Sequence, residues 1–345
     1  MHVDTHTHHV PLSYIARVSE DPKRFEATVA QTSSDTYEMV PSFWSSARFA
    51  SRYRFAPPYY DWQARVDHMD STGIRAAVVS ANQALNYAWA PLEVAVEVAQ
   101  LVNDDLAEGA KRFPGRIHGI ASVPLQDPDA AVREATRAID ELGLRGIQVL
   151  SSIEGANLAN AGLEKLFECV AGLEVPLFIH PYGALNHERM TPHFLVNVIG
   201  FPTEQAMAAA GLIFEGVLDR YTNLKVFLGH GGGSFPYLLG RIERGMQAFP
   251  DLMSTQRPFR DYLDQIFVDT LVHDDAALKY LIETLGIERV MFGTDWPYWM
   301  QDTDVLERVE RVMTTLGHDV FSLSDTASRL FGPFDLGDPI QDGQS

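Results

Sequence analysis

The chain has little of what forms cross-links, membrane spans or nucleic-acid-binding surfaces. Cys169 is the single cysteine among 345 residues, so no internal disulfide can form, and we expect a reducing, cytoplasmic location. No run of 18 apolar residues occurs, and no apolar stretch follows a basic segment at the start, so neither a transmembrane helix nor a secretory signal is expected. The net charge of −19 argues against nucleic acid or an anionic membrane surface as partners.

The regular part of the chain alternates short apolar segments with helical patterns. Eight segments are predicted as strands: one within residues 1–9, then 74–80, 117–123, 146–150, 176–180, 224–230, 266–269 and 289–295. Strands that are apolar throughout suit a parallel sheet covered by helices, and eight strand–helix repeats match a closed (β/α)8 TIM barrel. An open doubly wound α/β sheet is the alternative, but no glycine-rich phosphate loop follows the first strand. The prediction is a single α/β barrel domain over residues 1–335.

Two stretches depart from this repeat. Residues 11–58 are predicted as an irregular insertion after strand 1, with a polar part at 31–35 and an aromatic, arginine-rich part at 43–55. A segment of this length either covers a functional pocket or packs against the edge of the core, and the sequence leaves both roles open. The last ten residues, 336–345, are polar and glycine-rich and are expected to form a flexible tail.

The first strand carries a pattern that suits metal binding, Asp4-Thr5-His6-Thr7-His8. Alternate side chains of a strand share a face, so Asp4, His6 and His8 are predicted to point the same way. Two imidazoles at this spacing can hold one divalent metal, and a nearby carboxylate can orient or join them. The alternative is an exposed histidine-rich terminus or a tag remnant, although a tag would be an uninterrupted histidine run without aspartate.

Three later strands end in residues of the same chemistry. His180 ends strand 5, His230 ends strand 6 and Asp295 ends strand 8. In a (β/α)8 barrel, the C-terminal ends of the strands converge on one mouth. A lone histidine at a strand end is more often structural, because imidazole also satisfies buried backbone groups. Several at one rim instead indicate a metal-centred active site.

The ligand set predicted from these residues is His6, His8, His180 and Asp295, which offers three nitrogens and one oxygen. Gln148 stands on strand 4, where two-metal barrel sites commonly carry a modified lysine, so one metal is predicted. Ligation by histidine and carboxylate favours Zn²⁺, with Mn²⁺, Fe²⁺ and Co²⁺ as alternatives.

Together these motifs resemble the amidohydrolase superfamily, and within it the group that contains α-amino-β-carboxymuconate-ε-semialdehyde decarboxylase. The resemblance extends over nearly the whole chain and rests on the joint order of seven motifs, which are Asp4–His8, Arg65–Asp70, Val123–Asp127, Leu144–Gln148, His180–Pro181, Gly229–Phe235 with Gly240–Arg241, and Val290–Pro297. Related aromatic-acid decarboxylases replace the first histidine of the His-x-His pair by glutamate, whereas this chain keeps both.

The resemblance implies the same four metal ligands and assigns His230 as the acid/base beside the metal, so His230 and Asp295 are the predicted catalytic residues. It also implies that Arg241 binds a substrate carboxylate, in that family often in the site of a neighbouring subunit, and therefore a homodimer. A second substrate arginine is expected from the insertion; Arg54 matches best, and Arg52 is its rival. An ordinary surface or interface ion pair is the alternative for both arginines.

Two further residues, Asp269 at the end of strand 7 and Trp296, are candidates for lining the substrate pocket. The predicted function is non-oxidative decarboxylation of a small unsaturated or aromatic carboxylic acid. The same site can also hydrolyse a lactone, an amide or a C–C bond, or hydrate a double bond, and only the product separates these reactions. A catalytically inactive metal-binding scaffold is the third interpretation, and the complete residue set argues against it.

Overall fold

The computed structural model describes residues 2–41, 53–182 and 187–335. Within these ranges the strands are β1 (His2–His9), β2 (Ala27–Gln31), β3 (Tyr37–Pro41), β4 (Tyr53–Phe55), β5 (Ile74–Ala81), β6 (Ile117–Ser122), β7 (Ile147–Leu150), β8 (Ser152–Ile153), β9 (Ala156–Asn157), β10 (Leu177–His180), β11 (Val226–Leu228), β12 (Ile266–Asp269) and β13 (Val290–Met291). The α-helices are α1 (Leu12–Glu20), α2 (Pro57–Tyr60), α3 (Trp62–Ser71), α4 (Leu92–Arg112), α5 (Pro128–Thr136), α6 (Glu164–Gly172), α7 (His187–Met190), α8 (Phe201–Phe214), α9 (Val217–Arg220), α10 (Phe235–Ala248), α11 (Asp275–Leu285), α12 (Val305–Leu316) and α13 (Ser322–Phe331).

Eight strands form one parallel sheet in the order β1-β5-β6-β7-β10-β11-β12-β13. The two ends of this sheet meet, because the backbone N–H of Thr5 donates to Phe292 O at 2.9 Å and that of His8 donates to Trp296 O at 2.8 Å. Thr7 and Trp296 form a parallel bridge at the same seam. The predicted (β/α)8 barrel is therefore confirmed, and each predicted strand overlaps a strand of the sheet.

The barrel interior is packed with apolar side chains below the mouth. These buried residues come from seven strands and are Val3, Ala76, Val78, Ile120, Phe178, Phe227, Phe267 and Met291. A larger buried cluster fills the layer between the strands and the surrounding helices. Because inward positions recur every two residues along a strand, His180 continues the inward face that Phe178 begins on β10. The interior thus changes from apolar to polar at the C-terminal ends of the strands.

The insertion after β1 is more regular than the sequence predicted. It contains α1 and a three-stranded antiparallel sheet, β2-β3-β4, and the polar part at 31–35 forms the hairpin turn, where Thr32 N–H donates to Thr36 O at 2.8 Å. Met39 and Phe55 from this sheet are buried in the core, so tertiary burial of one face stabilises strands that are short and weakly patterned.

Outside the insertion, helices alternate with the strands of the barrel, as the sequence predicts, and side-chain caps fix the starts of several of them. Asp127 accepts a hydrogen bond from Ala130 N–H at the start of α5, and Asp274 accepts one from Ala277 N–H at the start of α11. Among the described residues, no helix combines the length and the apolar character that a membrane crossing requires. Residues 336–345, predicted as a flexible tail, lie outside the described ranges, as do residues 42–52 with Arg52.

Candidate active site

Five ionisable side chains predicted from the sequence lie together at the barrel mouth. His6 and His8 come from β1, His180 is the last residue of β10, His230 follows β11, and Asp295 follows β13. The ring centroid of His6 lies 5.0 Å from that of His8, 5.3 Å from that of His180 and 4.9 Å from that of His230. All except His230 are almost fully buried. The strand ends therefore bring together residues up to 289 positions apart in sequence.

Three of the imidazoles present the same nitrogen to the centre. The Nδ1 atom of His6 donates to Asp269 Oδ2 at 2.6 Å, and that of His180 donates to the Pro181 carbonyl at 2.9 Å. The Nδ1 atom of His8 lies 3.1 Å from Ser80 Oγ and 3.3 Å from the Ala81 carbonyl. Carboxylate and carbonyl oxygens accept only, so the proton sits on Nδ1 and the Nε2 lone pair is free.

Asp295 completes this centre from a left-handed backbone conformation, with φ of 62°. Its N–H donates to the His6 carbonyl at 2.8 Å, which fixes the turn against β1. Its Oδ1 atom lies 3.1 Å from His8 Nε2 and 3.6 Å from His6 Nε2. Two ligands that each lie about 2.1 Å from one tetrahedral ion are separated by about 3.4 Å, so these spacings fit joint coordination.

The ligand atoms that face the centre have no hydrogen-bond partner among the described residues. They are Nε2 of His6, His8 and His180 and Oδ1 of Asp295, each fully buried. Burying an unpaired polar atom costs free energy, and four at one point mark a place that a cation would satisfy. The chemistry of the donors, three imidazole nitrogens and one carboxylate oxygen, suits a divalent metal.

A second set of four also has metal-binding geometry. One ligand atom from each of His6, His180, His230 and Asp295 lies within 4.8 Å of the other three. His230 replaces His8 in this set. However, His230 Nε2 lies 4.0 Å from Asp295 Oδ2, whereas His8 Nε2 lies 3.1 Å from Asp295 Oδ1. The shorter spacing and the unpartnered Nε2 of His8 favour the set with His8.

His230 stands at the edge of the centre in a glycine-rich turn. It adopts φ of 54°, and Gly231, Gly232 and Gly233 continue the turn with positive φ values. Burial, followed by the positive charge of a protonated His6, lowers the pKa of His230 to about 4. His230 is therefore neutral near pH 7 and can accept a proton.

Burial and the nearby carboxylates act in opposite directions on the pKa values of His6 and His8. Burial opposes protonation of His6, but the hydrogen bond to Asp269 and the negative charges of Asp269, Asp295 and Asp4 together outweigh burial and raise the pKa of His6. Burial and the neighbouring imidazoles hold the pKa of His180 well below its usual value. Burial also lowers the pKa of His8, and the Asp295 carboxylate counteracts this only in part. His8 and His180 are thus neutral imidazoles, as metal ligands must be, whereas binding at His6 would displace any proton from its Nε2 atom.

An open cavity leads from solvent to His180, His230 and Asp295. Its wall is mainly aromatic, and the aromatic lining residues are Tyr53, Tyr59, Tyr182, Phe194, Phe201, Tyr298 and Trp299. Arg54, Gln83 and Asn197 add polar groups, and Gln83 Oε1 accepts from the Tyr298 hydroxyl at 2.8 Å. The insertion contributes Tyr53 and Arg54, so it covers this pocket as well as packing on the core.

Sequence reasoning missed most of this wall. The aromatic residues lie in the insertion, in the segment after β10 and in the loop after β13. No local pattern distinguished them from core aromatics. Tyr298 is the one that the sequence could best have indicated, because it follows Asp295 by three residues. In the structure, its ring centroid lies 4.6 Å from that of His8.

The predicted residues Arg241 and Trp296 lie away from the cavity wall in this chain. Arg241 is exposed on α10. The Trp296 ring is 6% exposed, stacks on His68 at 4.8 Å and lies 4.5 Å from the Arg65 guanidinium. Its aromatic surface is therefore used in packing between β1 and α3, and the placement offers no face to a substrate.

Asp4 also differs from its predicted orientation. Its carboxylate accepts hydrogen bonds from the Thr294 hydroxyl at 2.6 Å and from the His6 backbone N–H at 3.2 Å. The pairing register of β1 shifts between Asp4 and Thr7, so the strict alternation expected from Asp4 to His8 is interrupted. Asp4 thus supports the seam of the barrel beside Asp295 and does not enter the centre. His9 faces outward, and its ring stacks on that of Trp62 with the centroids 3.9 Å apart.

Comparisons with known proteins agree with this geometry. A family model described as Amidohydrolase matches residues 3–327. The 2-amino-3-carboxymuconate-6-semialdehyde decarboxylase of Dictyostelium discoideum is 38% identical over 241 residues, which cover 69% of this chain and 67% of that protein. A gamma-resorcylate decarboxylase of Rhodococcus jostii (strain RHA1) is 32% identical over 252 residues, covering 68% of this chain and 76% of that protein.

Solved structures give the same result for the fold. A dihydroxybenzoic acid decarboxylase from Polaromonas sp. JS666, with bound manganese and the inhibitor 2-nitroresorcinol, has a TM-score of 0.76 at 26% identity. The match covers 96% of this chain and 97% of that one. Nearly the whole length of this chain, including the barrel, thus matches a decarboxylase that contains bound manganese.

Proposed function

This chain belongs to the amidohydrolase family, and we propose that it is a metal-dependent decarboxylase that removes CO₂ from a small aromatic or unsaturated carboxylic acid. The observation that carries the proposal is the convergence of four unpartnered, fully buried ligand atoms at the base of an aromatic cavity. Such a site provides a cation, a neutral base and an apolar wall within one pocket.

One divalent metal is proposed, held by His6, His8, His180 and Asp295. Zn²⁺ suits three imidazoles and a carboxylate, and Mn²⁺ is the competing ion because the Polaromonas relative contains it. When bound, the metal would polarise a substrate oxygen and stabilise negative charge on the substrate. Gln148 is fully buried on β7 and has no amine from which a bridging modified lysine could form, which supports one metal instead of two.

The remaining steps belong to the side chains of this chain. The aromatic wall would stack on a planar acid and exclude water from the reacting carbon. Arg54, on the cavity wall, would hold a carboxylate through paired N–H donors. His230, neutral and with Nε2 turned toward Asp295, would take up a proton from water and then deliver it to the substrate carbon, where the broken bond to CO₂ leaves its electron pair.

A homodimer with Arg241 near the partner's site is the proposed assembly. Arg241 is exposed and forms no ion pair with a described residue, so its guanidinium is available to another chain. On the same helix, Tyr237 is 79% exposed, and its ring centroid lies 6.5 Å from that of Tyr280, which is 43% exposed. Exposed apolar residues that lie close together are typical of an interface. A cytoplasmic location also stays a prediction, based on the single cysteine.

The proposed function is tested by product analysis. The metal-loaded protein should release CO₂ from one of a panel of hydroxybenzoic and unsaturated carboxylic acids, and the second product should be lighter than the substrate by one CO₂. Products whose masses add up to the substrate plus one water would instead establish hydrolysis or hydration. A protein that binds metal but turns over none of the panel, nor lactones or amides, would leave the scaffold interpretation.

A further inference from the structure

The carboxylate of Asp269 joins the metal centre to the acid/base residue. We propose that Asp269 is a positioning residue, which sets the ring orientation of His6 and the position of His230 at the same time. The proposal rests on the proposed function, because it concerns residues of the same site. Asp269 is the last residue of β12 and does not line the cavity, so it acts on the substrate only through these two histidines.

Both oxygens of Asp269 are fully used, and every partner is a donor. Its Oδ2 atom accepts from His6 Nδ1 at 2.6 Å and from the His230 backbone N–H at 3.0 Å. Its Oδ1 atom accepts from the backbone N–H groups of Gly231 at 2.7 Å and Leu271 at 3.1 Å. Four donors around one side chain require a carboxylate, because an amide would turn its own N–H groups toward two of them.

The bond to His6 determines which nitrogen the metal would meet. With the proton held on Nδ1 by Asp269, His6 presents its Nε2 lone pair to the centre, where it is buried and unpartnered. A carboxylate behind a ligand histidine fixes its tautomer and ring orientation and makes it a better ligand. Asp269 is 0% exposed, so no water replaces this contact.

The bonds to His230 and Gly231 hold an unfavourable backbone turn. His230 has φ of 54°, which is uncommon for a residue with a Cβ atom and persists only where the surroundings enforce it. Two successive backbone N–H groups of this turn donate to the two oxygens of Asp269. The position of the His230 ring beside Asp295 therefore depends on the Asp269 carboxylate.

Two glycines leave the space that this arrangement needs. A Cβ atom on Gly293 would lie 2.9 Å from the Cβ atoms of both Asp269 and His6. A Cβ atom on Gly229 would lie 2.7 Å from Cε1 of the His6 ring. Any side chain at either position would push the His6–Asp269 pair out of place. The pair is thus built into the barrel rim by residues from four neighbouring strands.

The test uses the full-length protein with Asp269→Asn, and Asp302→Asn as the matched control. Asp302 is also a buried aspartate, but its carboxylate bonds to Arg308 and touches no ligand of the centre. Metal dissociation constants for Zn²⁺ and Mn²⁺ are measured by competition with a chromophoric chelator. The values of kcat and KM are measured separately, at saturating metal. Asp269→Asn should bind metal about 10- to 100-fold more weakly, and Asp302→Asn should bind like the wild type.

The second readout separates positioning of His230 from a general loss of fold. At saturating metal, kcat of Asp269→Asn should fall about tenfold or more while KM changes little, because the cavity wall is untouched. If Asp269→Asn does not fold, Gly293→Ala keeps all charges and crowds the same pair, and it should also weaken metal binding. Wild-type metal affinity and kcat in the soluble variants would overturn the inference.

The two proposals fail differently. A wild-type protein that binds no Zn²⁺ or Mn²⁺ would refute the proposed metal-dependent function itself. A wild-type protein that binds metal and turns over, next to an Asp269→Asn variant with unchanged affinity and kcat, would refute only the role of Asp269.

Discussion

The Nε2 atom of His8 lies 3.1 Å from Oδ1 of Asp295, across the seam where the first and last strands of the barrel meet. His8 is 0% exposed and Asp295 4% exposed, and neither of these two atoms has another hydrogen-bond partner among the described residues. The contact joins two residues 287 positions apart, and both atoms belong to the proposed metal set. The predictions below start from this centre and move outward.

Removal of one ligand should remove the metal. In His180→Ala, one of the four donors is lost from a fully buried centre, so metal content measured by elemental analysis should fall from about one per chain to a small fraction. His318→Ala is the control, because His318 is exposed and distant in sequence from every ligand. Retention of a full equivalent by His180→Ala would remove His180 from the ligand set. Two equivalents in the wild type would contradict the mononuclear assignment.

Removal of the acid/base should separate metal binding from turnover. His230→Ala keeps the four preferred ligands, so its metal content should match that of the wild type. Its kcat should fall by about 10²- to 10⁴-fold, the usual contribution of a positioned acid or base. If His230→Ala loses the metal as His180→Ala does, the alternative set with His230 as a ligand is the correct one.

The two arginines should act in different subunits. Arg54→Gln should raise KM about tenfold or more, since a charged hydrogen bond contributes about 1.5–3 kcal/mol, and Arg24→Gln, on the surface beside Glu97, is its control.

For Arg241, the inactive variants Arg241→Ala and His230→Ala are mixed and allowed to exchange subunits. Restored CO₂ release would show that Arg241 serves the partner's site. A mixture that stays inactive while heterodimers form would show that Arg241 does not act in the partner's site.

The buried guanidinium of Arg65 should stabilise the ligand strand. It donates to the Thr7 hydroxyl and the His8 carbonyl and lies 4.5 Å from the Trp296 ring, and burial lowers the pKa of Arg65 to about 9. Arg65→Met would leave these acceptors buried without donors, at a cost of about 1–3 kcal/mol each in the free energy of unfolding. Urea unfolding of the metal-free protein measures the loss.

The control for Arg65 is Arg311→Met, because Arg311 is an exposed partner of Asp275. Its substitution should change the free energy of unfolding by less than about 1 kcal/mol. Equal effects of the two substitutions would contradict a structural role for Arg65 beneath the site.

His118, at the opposite end of the barrel, should make the protein less stable in acid. Burial, followed by the charge of Arg145, lowers the pKa of His118 from 6.5 to about 4 in the folded protein. Between these values the unfolded chain binds more protons than the folded one, so stability falls as the pH falls through this window. From pH 7 to pH 5 the loss due to His118 is about 2 kcal/mol.

The measurement is the difference in unfolding free energy between pH 7 and pH 5 for the wild type and for His118→Gln, which cannot take up a proton. The variant should lose about 2 kcal/mol less than the wild type over this range. An identical loss in both proteins would assign the acid sensitivity to other groups.

The sequence by itself determined the barrel and the residue types of its centre. Strand and helix periods are local properties, and the position of His180 at the end of an apolar strand follows from the pleat alone. The strand ends of a (β/α)8 barrel share one mouth, so His6, His8, His180, His230 and Asp295 could be grouped without coordinates. The sequence also located the aromatic insertion, but it did not predict the three-stranded sheet within it.

Only the tertiary structure decided which atoms meet. The bond from His6 to Asp269 spans 263 residues and depends on side-chain room that Gly229 and Gly293 provide. Trp296 and Asp4 carry the right chemistry for the site, yet packing against Arg65 and bonding to Thr294 direct both elsewhere. Local periodicity gives the face on which a residue lies, whereas the competition between neighbouring contacts gives its partner.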